Sequence, residues 1–524
     1  MKKYFLPTAT ILVVAVYLAL RVPGLAQAPI FVDEANYSVW VAQMLGSPCL
    51  QTALIPWTDD KVGILPWIIA VLDAAGWPGQ WGPMLLWRYV SIALGLVTVA
   101  LLMTMARRLA GPDPSRRGLA MIAAGLGWAV WSAAVIHERM AIFDGALTAA
   151  WLFAIYVMET LPRDRIPTRR AAYAGFAVAL PAIVKLSGLP ALGIGGLTML
   201  WHWRRGRLSG RGLLAYAAVN AAIAVPPVAL CLGYGTLAMA CRLHMQAGGP
   251  GYLENFSSLV RQFGSMMLLS SFPIALAFML IGAIEALRPG RSEESAGPSW
   301  LLLWVCLPIA MIFAIGKYPG VFTRYYLPFA APLWIAFGLG VATLSAVVAR
   351  KTRTPAALCG AVFLCGSLAF PAWQSVLWQT DPGRELFTDR DRAQYVTGWP
   401  SGRQVGSLRA KIEPLTARGP VELITFNNYT NPASAIRYIE RRRPDRFRAI
   451  QVRSQAEAVR LLAQPPPSGT RLLLDGGGPG EFDPKLLPAS ARLFWEFRQT
   501  DPWIHTQRVW WVPDSGYTSP AANR

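Results

Sequence analysis

Asp33 and Glu34 stand side by side, and Asp33, Asn36, Tyr37, Trp40 and Met44 follow at helical spacing, one polar and aromatic face over three turns. A carboxylate so placed can take a proton from an acceptor hydroxyl, and a cation beside it can hold a phosphate. Further acids and cations come later in the chain: Asp60-Lys61, His137-Glu138-Arg139, Asp144, Lys317 and Arg324. Each has a plain reading by itself. Asp33 can be a helix N-cap, Lys61 a residue laying its stem along an apolar surface, and His137-Glu138 a hydrogen-bonded surface pair rather than a metal ligand set. Their company is what points to acid–base chemistry on a phosphate-bearing substrate. Lys185 lies inside an apolar stretch. An ionisable group there points to function or to the watery end of a short helical hairpin.

The elements that must carry these residues are apolar. Of 524 residues 54% are hydrophobic and 15% charged, against about 25% charged in a soluble chain, so a wholly soluble protein is excluded. At about 20 apolar residues per crossing the runs predict a polytopic α-helical membrane protein, since lipid leaves the backbone no other means of hydrogen bonding. Crossings are expected near Phe5 to Leu20, Arg88 to Met105, Leu119 to Ile136, Phe143 to Glu159, Ala171 to Val184 and Leu186 to Trp203. Five more follow near Leu213 to Gly233, Met266 to Leu287, Trp300 to Ile315, Tyr326 to Val348 and Ala356 to Phe370, about eleven in all. This assigns 1–372 to a transmembrane domain, with a long outward loop over 21–87, and 373–524 to a separate soluble α/β domain.

The net charge of +20 is distributed by topology. Basic clusters fall in alternate loops: Lys2 and Lys3, Arg107 to Arg117, Arg163 to Arg170, Arg204 to Arg211, Arg288 and Arg291, and Arg350 to Arg353. The positive-inside rule puts these in the cytoplasm. The amino terminus is then cytoplasmic, the carboxyl domain extracytoplasmic, and the protein multi-pass in the plasma (inner) membrane. No basic stripe interleaved with aromatics suggests a nucleic acid partner. Met1 to Ala28 imitates a signal peptide, but Arg21 ahead of Ala26-Gln27-Ala28 favours an uncleaved first helix.

In the outward loop, Asp33 to Leu45 and Lys61 to Ala75 read as two pieces too short to span, lying in the membrane interface. After Phe370, Val421 to Phe426, Phe447 to Val452 and Arg471 to Asp475 read as strands. Pro432 to Arg441 reads as a helix, and the capping box Ser454-Gln-Ala-Glu457 opens another. The alternation predicts a small parallel layer. Asp475-Gly-Gly-Gly-Pro-Gly480 lacks the Lys-Ser/Thr of a phosphate loop and reads as a strand-to-helix turn. None of the six cysteines lies in this domain, which argues against a disulfide framework or a zinc site. Two sequons, at Asn255 and Asn428, carry no weight unless the host glycosylates them.

In this order and on this side, the motifs resemble the GT-C superfamily of lipid-carrier-dependent glycosyltransferases, and within it the protein O-mannosyltransferases and lipid A aminoarabinose transferases. The stretches are Asp33-Glu34, Lys61-Val-Gly-Ile-Leu-Pro-Trp67, Glu138-Arg-Met-Ala-Ile-Phe-Asp144, Leu180-Pro-Ala-Ile-Val-Lys185-Leu-Ser-Gly188 and Arg324-Tyr-Tyr-Leu-Pro-Phe-Ala-Ala-Pro332. They cover about the first 340 residues. Gln394-Tyr-Val-Thr-Gly-Trp-Pro-Ser-Gly402 is similar to a segment after the last membrane helix of some bacterial relatives. The family's Lys-Pro-Pro is here Lys61-Val-Gly.

The resemblance implies a sugar carried on polyprenyl phosphate, a protein, lipid or glycan acceptor, and membrane lipid as further partner. Asp33 would be the base, Glu34 would orient the acceptor, and Asp144 would hold sugar hydroxyls or support the cations. Lys61, Arg324 and Lys317 would hold the donor phosphate, with Tyr37, Trp40, Glu138, Arg139 and Tyr325 lining the substrate. One base without a carboxylate nucleophile implies inversion. No cofactor is implied, and a divalent metal is not favoured. A transporter is the competing reading, but no internal repeat with broken midplane helices is visible. A membrane-anchored binding or assembly factor for envelope glycans is the other.

Overall fold

The computed structural model describes residues 2–26, 28–46, 64–76, 82–162, 164–233, 252–287, 304–305, 323–381, 384, 388–397, 401, 403–426, 445–452, 454–464, 470–475, 482–497 and 506–512. Within these, the chain forms two compact units. The first comprises Met1–Leu25 and Pro48–Thr388, and the second Ala26–Ser47 and Asp389–Arg524. Composition places a boundary near 372, but the division falls later because one helix runs on from Ala356 to Thr380. Part of the outward loop also groups with the carboxyl-terminal unit.

The first unit is helical. Its helices are α1 (Lys2–Ala19), α3 (Ile64–Ala74), α4 (Gly82–Leu109), α5 (Pro114–Val130), α6 (Ser132–Glu138), α7 (Phe143–Glu159), α8 (Thr168–Val184), α9 (Pro190–Arg204), α10 (Gly210–Gly233), α11 (Tyr252–Leu287), α12 (Leu327–Thr352) and α13 (Ala356–Thr380). Helix α2 (Val32–Gly46) belongs to the second unit. Every expected crossing with described residues throughout falls on one of these helices or on a joined pair, apart from a few end residues such as Leu186 to Leu189, which precede α9. The stretch Trp300 to Ile315 lies largely outside the described residues. Among the described residues five helices are long and apolar enough to cross a membrane, or six if α5 and α6 count as one broken span. α1, α7, α8 and α9 are apolar but have 18 residues or fewer.

Two breaks in these helices position the chemistry. Asp113 caps α5, its Oδ1 accepting from the Ser115 amide at 2.9 Å, with Pro114 in the first turn. The helix stops at Trp131, whose φ of −70° and ψ of 117° are extended, and α6 leaves at 61°. The break strands carbonyls that a continuous helix would use. Arg21 takes up those of Ala129 (2.7 Å) and Trp128 (3.4 Å), and the Ser375 hydroxyl takes up that of Val130 (2.7 Å). The second break is at Lys185, extended at φ −158°. Its amide reaches back to the Pro181 carbonyl, and a short 3₁₀ turn over Leu186–Gly188 leads into α9. Gly188 presses on Pro181 so closely that a Cβ would lie 2.2 Å from its carbonyl oxygen.

In the second unit, the sheet strands are β1 (Val421–Phe426), β2 (Phe447–Val452), β3 (Thr470–Asp475), β4 (Arg492–Phe497) and β5 (Gln507–Val512), ordered β2-β1-β3-β5-β4. β1 pairs in parallel with β2 and β3, as the alternation predicts, while β5 is antiparallel to β3 and β4. Central β1 is buried along its whole length, as a strand covered on both faces must be. α14 (Arg403–Thr416) covers one face through Leu408 and Ile412 against Leu423, Leu472 and Trp511. α15 (Gln455–Leu462) covers the other through Ala458 and Leu462 against Ile424 and Leu473. The Ser454 hydroxyl caps α15 by accepting from the Glu457 amide. The stretches Pro432 to Arg441 and Gly476 to Gly480 lie outside the described residues.

Candidate active site

The turn between α6 and α7 sends three charged side chains in different directions. Asp144 sits in the first turn of α7, nearly fully buried. Its Oδ1 accepts from Lys185 Nζ at 2.7 Å, and that carboxylate makes no other side-chain bond among the described residues. The Lys185 ammonium also lies 4.5 Å from the centre of the Tyr325 ring. Arg324, in the 3₁₀ turn Thr323–Tyr326 that opens α12, lies 5.2 Å from the same ring. Two cations thus lie close to one aromatic ring, whose quadrupole attracts them. Arg324 and His137 are also within electrostatic reach of Asp144. His137 is buried, with Nδ1 donating to the Ala133 carbonyl at 2.5 Å.

Glu138 turns the opposite way. Its Oε2 accepts from the Tyr17 hydroxyl (3.0 Å) and Arg21 Nε (2.6 Å), and its Oε1 from Trp128 Nε1 (2.9 Å). Arg21 also lies over the Tyr17 ring at 3.9 Å. The network closes only because residue 95 is glycine: a Cβ there would fall 1.9 Å from the Tyr17 hydroxyl oxygen. Expected at the substrate, Glu138 is instead committed on both oxygens to residues of the bundle. Arg139, the third member, is buried in the turn itself, and its Nη1 donates to the Leu20 carbonyl at 3.3 Å.

Asp33, Glu34, Tyr37 and Trp40 all fall on α2, in the second unit. Glu34 is fully buried, and its Oε2 accepts from the Phe31 amide at 3.0 Å at the start of this helix. Asp33 is half-buried. Tyr37 is buried with its ring centre 4.9 Å from that of Trp40. Within the same unit Phe31 packs on Tyr395, and Ala35 on Val405 of α14. Lys61 and Lys317 lie outside the described residues.

The structure therefore brings together Asp144, Arg324 and Tyr325 and adds Lys185, which the sequence marked by its place in an apolar stretch and in one of the family-like segments but gave no role. Arg21 and Tyr17 had no assigned role. Arg21 was visible only as a charge at the end of the first apolar run. Among the described residues no group of three or more His, Cys, Asp or Glu could hold a metal ion.

The fold has counterparts among solved structures. Over 96% of this chain and 98% of the other, it is similar to ArnT from Cupriavidus metallidurans bound to undecaprenyl phosphate, at 14% identity and a TM-score of 0.56. The apo state of that protein matches at 15% identity and 0.53, over 96% and 97%. The archaeal oligosaccharyltransferase AglB from Archaeoglobus fulgidus, in complex with an inhibitory peptide and a dolichol-phosphate, matches at 13% identity and 0.50, over 86% of this chain and 65% of that one. At these identities the likeness is one of fold. No protein-family model matches the chain, and no curated protein matches it in sequence.

Proposed function

We propose that this protein is a membrane glycosyltransferase that moves a sugar from a polyprenyl-phosphate carrier to an acceptor hydroxyl on the extracytoplasmic side. The observation that carries the reading is the Asp144–Lys185 pair beside Arg324, a buried carboxylate with one oxygen left open among the described residues, inside a bundle whose fold is similar to that of ArnT. The solved relatives named above are bound to undecaprenyl phosphate and to a dolichol-phosphate, which supports a lipid carrier as donor. About eleven crossings, a cytoplasmic amino terminus and an exported carboxyl domain belong to the same proposal.

In the reaction, the acceptor oxygen forms a bond to the sugar's C1 as the bond from C1 to the phosphate oxygen breaks. The electron pair leaves with the lipid phosphate, which regains a negative charge. Fixed cations lower the barrier for that step, and Arg324, with Lys61 and Lys317, is assigned to it. Asp33 takes the acceptor proton, a contribution of about 10²- to 10⁴-fold, and Glu34 orients the acceptor. Asp144 accepts a sugar hydroxyl on the oxygen that Lys185 leaves open, and Tyr37, Trp40 and Tyr325 offer their rings to the sugar. A single displacement inverts the anomeric centre.

The test is to incubate the purified full chain with a panel of polyprenyl-phosphate sugars and follow free lipid phosphate. One donor should be turned over, and Asp33→Asn should stop turnover while donor binding persists. A folded protein that releases lipid phosphate from no donor, or an Asp33→Asn variant as active as the wild type, would overturn the proposal.

A further inference from the structure

We infer that Arg139 forms a second anion-binding site, for a phosphate-class oxyanion, separate from the Lys185 and Arg324 cations and independent of the sugar-transfer reading. Arg139 is 6% exposed. Its neighbour Glu138 cannot neutralise it, being spent on Tyr17, Arg21 and Trp128. Among the described residues the Arg139 side chain makes one hydrogen bond, the 3.3 Å contact to the Leu20 carbonyl. That carbonyl also accepts from Gln379 Nε2 at 3.0 Å, so it does not need the arginine.

A buried guanidinium without a carboxylate is costly, and here other cations raise the cost. Arg88, itself buried and donating to the Leu25 carbonyl at 2.7 Å, and Arg21 both repel Arg139. Burial first, then Arg88 and Arg21, bring its pKa down to about 10, so it stays charged at neutral pH. The turn over it offers an approach. Val22, Pro23 and Gly24 are exposed, and glycine at 24 puts no side chain of its own over Arg139 Nη2, where a Cβ would stand 3.8 Å away. The donors of the fork that the Leu20 contact leaves over suit bidentate recognition of a phosphate.

Thermal unfolding of the full chain in detergent, titrated with inorganic pyrophosphate, tests this. In a second arm the protein is reconstituted in phosphatidylcholine with and without phosphatidic acid. Arg139→Met removes a charge that no described carboxylate pairs, so the anion-free variant should unfold at or above the wild-type temperature. The anion should stabilise the wild type, and the variant should bind it at least tenfold more weakly. A shift with pyrophosphate alone identifies a free oxyanion as occupant, and one with phosphatidic acid alone a lipid headgroup. A variant that is destabilised or unfolded without anion would make Arg139 a structural brace and overturn the inference. So would equal anion shifts in both proteins, or no shift in the wild type with either probe.

Discussion

Glu138 and Asp144 are both buried carboxylates six residues apart, each paired with a cation, and they are built for opposite purposes. Glu138 has donors on both oxygens, and its partner Arg21 is further tied to the carbonyls left by the helix break. A ligand there would compete with donors that both oxygens already hold. Among the described residues Asp144 is held on Oδ1 alone, and its partner Lys185 rests on a ring it shares with Arg324. A pair with donors on both oxygens is suited to bracing, and one held on a single oxygen among the described residues keeps an acceptor open.

The comparison breaks most readily at Glu138. Glu138→Gln strands the Arg21 charge in the bundle at a cost of about 3–5 kcal/mol. Most of the folded protein should be lost, as measured by size exclusion and thermal unfolding. If the variant instead folds like the wild type and only turnover disappears, the division between brace and working group fails. Asp144→Asn keeps the shape and an acceptor for Lys185 while removing the charge. It should lower the rate of lipid phosphate release by on the order of 10²-fold and should shift the unfolding temperature less than Glu138→Gln does. Equal losses of stability from the two variants would show that both pairs are braces. The smallest effect is expected from Tyr325→Leu, which removes the ring that both cations contact. At about 0.5–1 kcal/mol per cation–π contact, donor affinity should weaken about two- to fivefold, read from the donor concentration dependence, with little change in maximal rate.

Much of the scaffold was legible in the residues. The apolar runs place the helices wherever the structure describes them, and the alternation after 420 yields the three parallel strands and the Ser454 cap. The bend at Trp131 was not legible. The stretch Leu119 to Ile136 reads as one crossing because it is apolar on both sides of a residue that is neither Pro nor Gly. What holds that bend is an arginine more than a hundred residues earlier, with packing of Trp131 against Trp128 and Trp334 and its Nε1 donating to Ser270. The antiparallel pair β4 and β5 was equally hidden, since the strands gain their place only by pairing onto β3. In the site, the charged positions stood out, while the division of labour among Glu138, Arg139 and Asp144 did not.

The sequence by itself determined which segments must be helical and that charges inside them needed a reason, because the cost of an unpaired backbone or a bare charge in an apolar medium is set locally. Only the tertiary structure decided which carboxylate is locked and which is open. Glu138 meets Tyr17 and Arg21 across 121 and 117 positions and Asp144 meets Lys185 across 41, and no local pattern encodes which distant side chain arrives at a given oxygen.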